Sequence, residues 1–151
     1  SSGFTTQIIN SIQNTLDKLY FDTIMTEDDF SPEDLHLSYP PKPFMIWGNL
    51  QKLNAWPIES VVKVDDTLTG IQEGLNAGCW SVGITDYSTY MNINSIEEWD
   101  LMDEQEKLQR KQYARQKILN ESGAHYVIQE FNQLLPVITD INHRLSLGEK
   151  P

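Results

Sequence analysis

The stretch VKVDDTLTG at residues 62–70 places two carboxylates, Asp65 and Asp66, side by side where an apolar, β-branched run ends. Hard oxygen donors of this kind suit Mg²⁺, which takes one or two carboxylates together with waters and a substrate phosphate. Neighbours on a strand point to opposite faces. One member of such a pair therefore ligates, while the other hydrogen-bonds nearby backbone or orients a group. Two further readings stand beside this one: Asp66 caps the helix that begins at Thr67, a common role for Asp, or both acids are ordinary surface charge. Other chemistry-bearing residues point nowhere as clearly. Cys79 and the histidines His36, His125 and His143 do not fall at zinc spacing. Cys79 adjoins a predicted strand and reads as inert core, and His125 in GAHYVI reads as structural. Gly70, Gly74 and Gly78 lie within or just after a helix, unlike a phosphate-cradling loop. Trp47, Trp56, Trp80 and Trp99 read as packing residues.

The elements that must position the acid pair follow from periodicity. Phe4, Ile8, Ile9, Ile12, Leu16 and Leu19 recur at helical spacing, so residues 4–19 are predicted as an amphipathic helix. Residues 21–25 are predicted as a short strand, and the acidic, proline-bearing segment 26–41 as loop with one turn of helix near 32–37. A helix over 42–53 follows, then a turn at Trp56 and Pro57. Residues 61–64 are β-branched on both faces, which predicts a buried parallel strand. A helix over 67–77 ends at Gly78, a good residue for the left-handed position, and a strand follows over 80–84. Ser95, with Glu98 three residues on, opens a long polar helix to residue 120, broken near 100–104. A strand over 126–128 and a helix over 131–145, with Pro136 in its first turns, complete the domain at residue 145; 146–151 is a frayed tail. Alternating helices and strands give an α/β domain with a parallel sheet and helices on both faces. Such sheets bind ligands beyond the carboxyl ends of their strands, which is where Asp65 and Asp66 fall.

The 151 residues carry a formal net charge of -11 and a pI of about 4.5. That field repels nucleic acid and anionic lipid, and no basic patch offsets it. The single cysteine excludes an intramolecular disulfide framework and fits a reducing compartment, so the protein is expected to be cytoplasmic. No apolar run approaches membrane-spanning length. The opening Ser1, Ser2, Gly3 lacks an initiator Met, which fits either a start within a longer protein or a tag remnant.

A longer comparison sharpens the acid pair. VKVDDTLTGIQEGLNAGCWSVG (62–83) and GAHYVI (123–128) resemble the C-terminal half of phosphonoacetaldehyde hydrolases, or phosphonatases, of the haloacid dehalogenase superfamily. SGFTT (2–6) is similar to the segment after that family's second core strand, and TEDDF (26–30) to its T-P-D-D-V; residues 85–122 are the most divergent. The resemblance implies a partial Rossmann-like haloacid dehalogenase core that lacks the N-terminal strand and the cap domain. It implies Asp66 as the Mg²⁺ ligand, supported by Asp65. It places Ser2 where the family holds the transferred phosphoryl group, Gly3 at a close backbone approach, and Phe4 where many members have Tyr.

The implied reaction is hydrolysis of the carbon–phosphorus bond of phosphonoacetaldehyde to acetaldehyde and phosphate. In the family an Asp attacks phosphorus, and a cap-domain Lys forms a Schiff base that serves as electron sink. The Asp belongs to a D-x-A-G-T-like motif that these residues do not contain, and the cap Lys is likewise missing. Asp17, Asp22, Asp86 and Asp100 lie in unsuitable contexts for a substitute nucleophile. The chain is therefore expected to be inactive on its own. The family's G-R-P before the second helix reads SYPPKPFM here (38–45), with Pro40 in place of the Arg. Lys42 either takes the same phosphate as a point charge, without the bidentate fork, or is a solvated helix-start lysine. The expected partner is a small phosphonate, together with a second copy in a homodimer or an N-terminal segment of the same protein. Two other functions remain: a shortened, catalytically incompetent homologue that acts as a binding protein, and a related phosphatase of the same superfamily.

Overall fold

The computed structural model describes residues 6–15 and 21–151. At its centre is a three-stranded parallel sheet, in which β1 (Val62–Asp65), β2 (Trp80–Ile84) and β3 (Tyr126–Ile128) lie in chain order. The register pairs Val64 with Val82 and Val82 with Tyr126. The described helices are α1 (Thr6–Thr15), α2 (Phe44–Leu53), α3 (Leu68–Ala77), α4 (Ile96–Leu101), α5 (Glu104–Glu121) and α6 (Leu134–Ser146).

The strand alternation assigns the helices to faces. Gly83 faces Ile71 of α3 and Ile118 of α5, so those two helices cover one side. Trp80 and Tyr126 face the other, where Arg144 of α6 lies 4.4 Å from the centre of the Trp80 ring. Trp80, Val82, Ile71 and Ile118 are fully buried, which puts the core on both sides of β2. His125 is structural: its Nδ1 accepts the Ser81 amide at 2.9 Å, and its ring packs edge-on against Trp80.

Local signals explain the boundaries. Thr67 caps α3 by accepting the Gly70 amide, and Gly78 ends the helix at φ 87°. Ser95 accepts the Glu98 amide at the start of α4. The long polar helix is broken as expected, because Asp103 caps a new helix by accepting the Glu106 amide. Arg110–Glu106 and Lys117–Glu121 are i,i+4 pairs along α5. Pro136 sits in the first turn of α6, where its missing N–H costs no helical bond.

Three expectations need correction. Residues 21–25 form no strand; the segment leans on α2, with Lys52 donating to the Ile24 carbonyl at 3.0 Å and Met25 lying over Gly48. β1 is half-buried and pairs on one side only among the described residues, so its β-branched run marks a sheet edge here. The C-terminal tail is not frayed. Gly148, at φ 83°, and Glu149 donate backbone bonds back to α6, and Lys150 pairs with Glu59 at 2.8 Å.

Candidate functional site

β1 ends at Asp65, and the chain turns through Asp66 and Thr67 into α3. Both carboxylates line a cleft of about 780 Å³ at the carboxyl end of the sheet, together with Pro40, Lys63, Thr67 and Thr89. Their surroundings differ. Asp65 Oδ1 accepts the Thr67 amide at 2.9 Å and the Thr67 hydroxyl at 2.8 Å, and Oδ2 accepts Lys63 Nζ at 2.9 Å. Burial works to raise the Asp65 carboxyl, but Lys63 and Thr67 outweigh it and hold the group below the ordinary carboxylate range.

Asp66 takes part in no ion pair among the described residues. Burial and the neighbouring Asp65 charge push its carboxyl up, against backbone hydrogen bonding at its own position and at Thr89. It does not cap α3, because Thr67 does. Its backbone carbonyl accepts Ser88 Oγ at 2.7 Å, and Tyr90 Oη accepts the Leu68 amide at 3.0 Å. The 88–90 segment thus braces the turn from the β2 side.

Beneath Asp65 lies a charge cluster that the sequence reading missed. Lys63 Nζ also reaches Glu73 Oε2 at 3.4 Å, and Glu73 is only 4% exposed. Burial lowers the Lys63 ammonium, but the charges of Asp65 and Glu73 outweigh it and raise the group overall. Burial raises the Glu73 carboxyl more than Lys63 lowers it. The approach is close because α3 presents glycines to β1. A Cβ on Gly70 would collide with the Asp65 carboxylate, and one on Gly74 would meet Ser81 Oγ at 2.5 Å and Lys63 Cγ at 2.9 Å. The available signal was a lysine two residues from Asp65, hence on the same strand face, opposite a helix face carrying Gly70, Glu73 and Gly74.

Other expected site residues lie elsewhere. Lys42 is exposed and donates to the His36 carbonyl at 2.7 Å, and it does not line the cleft. Pro40 does line it, and Lys63 is the cleft's cation. Ser2, Gly3 and Phe4 lie outside the described residues. Among the described residues no group of three His, Cys, Asp or Glu side chains is placed to hold a metal. Among the described residues a cation here would rest on Asp66, a hard oxygen donor of the kind that suits Mg²⁺. No described helix is long and apolar enough to cross a membrane.

No protein-family model matches the chain. It is 42% identical over 113 residues to the phosphonoacetaldehyde hydrolase of Paraburkholderia xenovorans, covering 74% of this chain and 41% of that protein. It is 40% identical over 119 residues to the phosphonoacetaldehyde hydrolase of Aeromonas hydrophila, covering 79% and 42%. The crystal structure of a phosphonoacetaldehyde hydrolase-like protein from Oleispira antarctica superposes with a TM-score of 0.82 at 32% identity, covering 99% of this chain and 52% of that one. The chain therefore spans about two fifths of the length of these curated relatives, and it is a partial homologue of them with the same α/β core architecture.

Proposed function

We propose, from this partial homology to phosphonoacetaldehyde hydrolases, that the chain is the C-terminal portion of a haloacid dehalogenase-type core that cleaves the carbon–phosphorus bond of phosphonoacetaldehyde to acetaldehyde and phosphate. The observation that carries the reading is the division of labour between the paired acids. Asp65 is tied down by Lys63 and Thr67, while Asp66 faces the cleft with a carboxyl pushed up by burial and by its neighbour. A carboxylate so placed gains from a cation. Mg²⁺, when bound, neutralises phosphonate charge and aligns the group for attack. Asp66 would hold it, Asp65 would fix the turn that carries Asp66, and Lys63 would keep Asp65 charged.

These residues alone supply neither the nucleophilic Asp nor the Schiff-base Lys, so hydrolysis requires a polypeptide that provides both. The free edge of β1 among the described residues suits a neighbouring strand bearing that nucleophile. Phosphonoacetaldehyde is the proposed small-molecule partner, and a homodimer or an N-terminal segment of the same protein the proposed protein partner. The cytoplasm is the proposed compartment, as the single buried thiol suggests.

One observation favours a non-catalytic member of the family. Pro40 lines the cleft where the family's Arg is expected, and Lys42 is engaged with His36. Joining these residues to the N-terminal half of a phosphonoacetaldehyde hydrolase tests both readings. Acetaldehyde release, with borohydride trapping of a Lys adduct, supports the proposal. Phosphonate binding without turnover supports the binding protein. Phosphate from an ester, with no adduct and no acetaldehyde, supports a related phosphatase.

A further inference from the structure

The ladder between β1 and β2 ends with Asp65 opposite Gly83. Past that register the chain after β2 stays with β3: the Thr85 and Asp86 amides donate to the Ile128 and Gln129 carbonyls at 3.0 and 2.9 Å. The Asp66 carbonyl is met by a side chain instead. Ser88, 3% exposed, donates its hydroxyl there at 2.7 Å. The same hydroxyl accepts the Tyr90 amide at 3.3 Å and so opens the helical turn Thr89–Met91. Tyr90 Oη in turn accepts the Leu68 amide at 3.0 Å. Leu68 is the first residue of α3, and an amide at that place has no partner within its own helix. Two successive peptide groups after Asp66 are thus gripped by side chains two residues apart.

The grip is backed by α5. Met91 is buried, and Arg110 donates to its carbonyl at 3.3 Å and also to that of Asn92. Lys117 lies 5.5 Å from the centre of the Tyr90 ring. Thr89, between the two gripping residues, lines the cleft with Asp66, and its backbone favours the charged Asp66 carboxylate.

We infer, on the reading of Asp66 as the Mg²⁺ ligand, that Ser88 and Tyr90 are positioning residues: by fixing the backbone after Asp66 they hold its carboxylate in one orientation toward the cation. The rotamers open to a side chain depend on its backbone dihedrals, so a gripped backbone limits where the carboxylate points. The two acids are then held by different elements. Asp65 is fixed by Lys63 and Thr67, and Asp66 from α5 through residues 88–90. Removing partners that orient a metal ligand lowers metal affinity. An ordinary turn bond would add stability but leave the Asp66 side chain indifferent to its loss.

Three-bond NMR couplings from the Asp66 carboxyl carbon to its backbone nitrogen and carbonyl carbon test this in the isotopically labelled chain before any metal is added. The native chain should show one staggered rotamer at Asp66. Ser88→Ala should average it over several, with the Asp65 couplings unchanged. Tyr90→Phe keeps the ring beside Lys117 and removes the acceptor. It should also average the Asp66 rotamer and raise Leu68 amide exchange about 3–10-fold; this variant decides the matter should Ser88→Ala fail to fold. Mn²⁺, a paramagnetic stand-in for Mg²⁺, should broaden the Asp66 signals of the native chain, and either variant should require about 3–10-fold more of it. Broadening not centred on Asp66 in the native chain would sink the ligand reading and this inference with it. Broadening at Asp66 that neither variant weakens, a single Asp66 rotamer in both variants, or equal disturbance of Asp65 and Asp66 would overturn the positioning role alone.

Discussion

Replacing Gly70 with Ala probes the contact that holds the acid pair in place. Gly70 is buried, and its amide donates to Thr67 Oγ1 at 3.0 Å. By helix propensity alone the change should stabilise the chain by about 0.5–1 kcal/mol. The added Cβ would, however, fall on the carboxyl carbon and both oxygens of Asp65. That carboxylate is held by three bonds, from Lys63 Nζ and from the amide and hydroxyl of Thr67. Hydrogen bonds to charged groups are worth about 1.5–3 kcal/mol each, so displacing one or two gives a net loss of about 2–4 kcal/mol. At about 2–4 °C per kcal/mol for a chain of this size, the Tm should fall by about 4–16 °C. A double-mutant cycle isolates the cause. In an Asp65→Ala background the obstacle is gone and Gly70→Ala should be neutral or stabilising, giving a coupling of about 2–5 kcal/mol. Urea denaturation of all four chains measures it. Equal effects of Gly70→Ala in the two backgrounds would refute the argument.

Lys63→Met should destabilise the chain by about 2–4 kcal/mol, because it leaves Asp65 and the buried Glu73 without their shared cation; a loss under about 0.5 kcal/mol in chemical denaturation would contradict this. Asp65 is held below its unfolded value of about 3.9, so its contribution is complete above that value and disappears as pH falls through the lower folded one. Carboxyl NMR should therefore show Asp65 titrating below, and Asp66 above, the ordinary range, and a reversed order would sink the assignment of roles. Asp66→Asn should leave stability at neutral pH unchanged or slightly higher, since the native fold disfavours the charged carboxylate; a marked fall in Tm would show that Asp66 is structural. Burial pushes the Cys79 thiol up to about 11, so it should resist a disulfide reagent in the folded chain and react on unfolding; ready modification of the native protein would contradict its place in the core.

What the sequence revealed was mostly local. Ser95 three residues before Glu98, the helix break near 100–104, and Gly78 after Ala77 each depend on their own stretch of chain, so they could be read without a partner, although the cap at Asp103 was not singled out. The acid pair was legible for the same reason, as two charges at the end of a β-branched run. Non-local features were hidden. Residues 21–25 have strand-like composition but depend on Lys52 and Gly48 of α2, and no local pattern encodes that. The Lys63–Glu73 contact joins a strand to a helix across the glycine face of α3, so no local pattern marks either residue. Lys42 was read as a candidate from its place in the chain, but the fold takes its ammonium to the His36 carbonyl.

The Mg²⁺ dependence of acetaldehyde release tests the central claim most directly, measured on a polypeptide that joins these residues to the N-terminal half of a phosphonoacetaldehyde hydrolase. Asp66→Asn should raise the Mg²⁺ requirement at least about tenfold, and Asp65→Asn should do less. Equal and small effects at the two positions would contradict the assignment of Asp66 as the metal ligand.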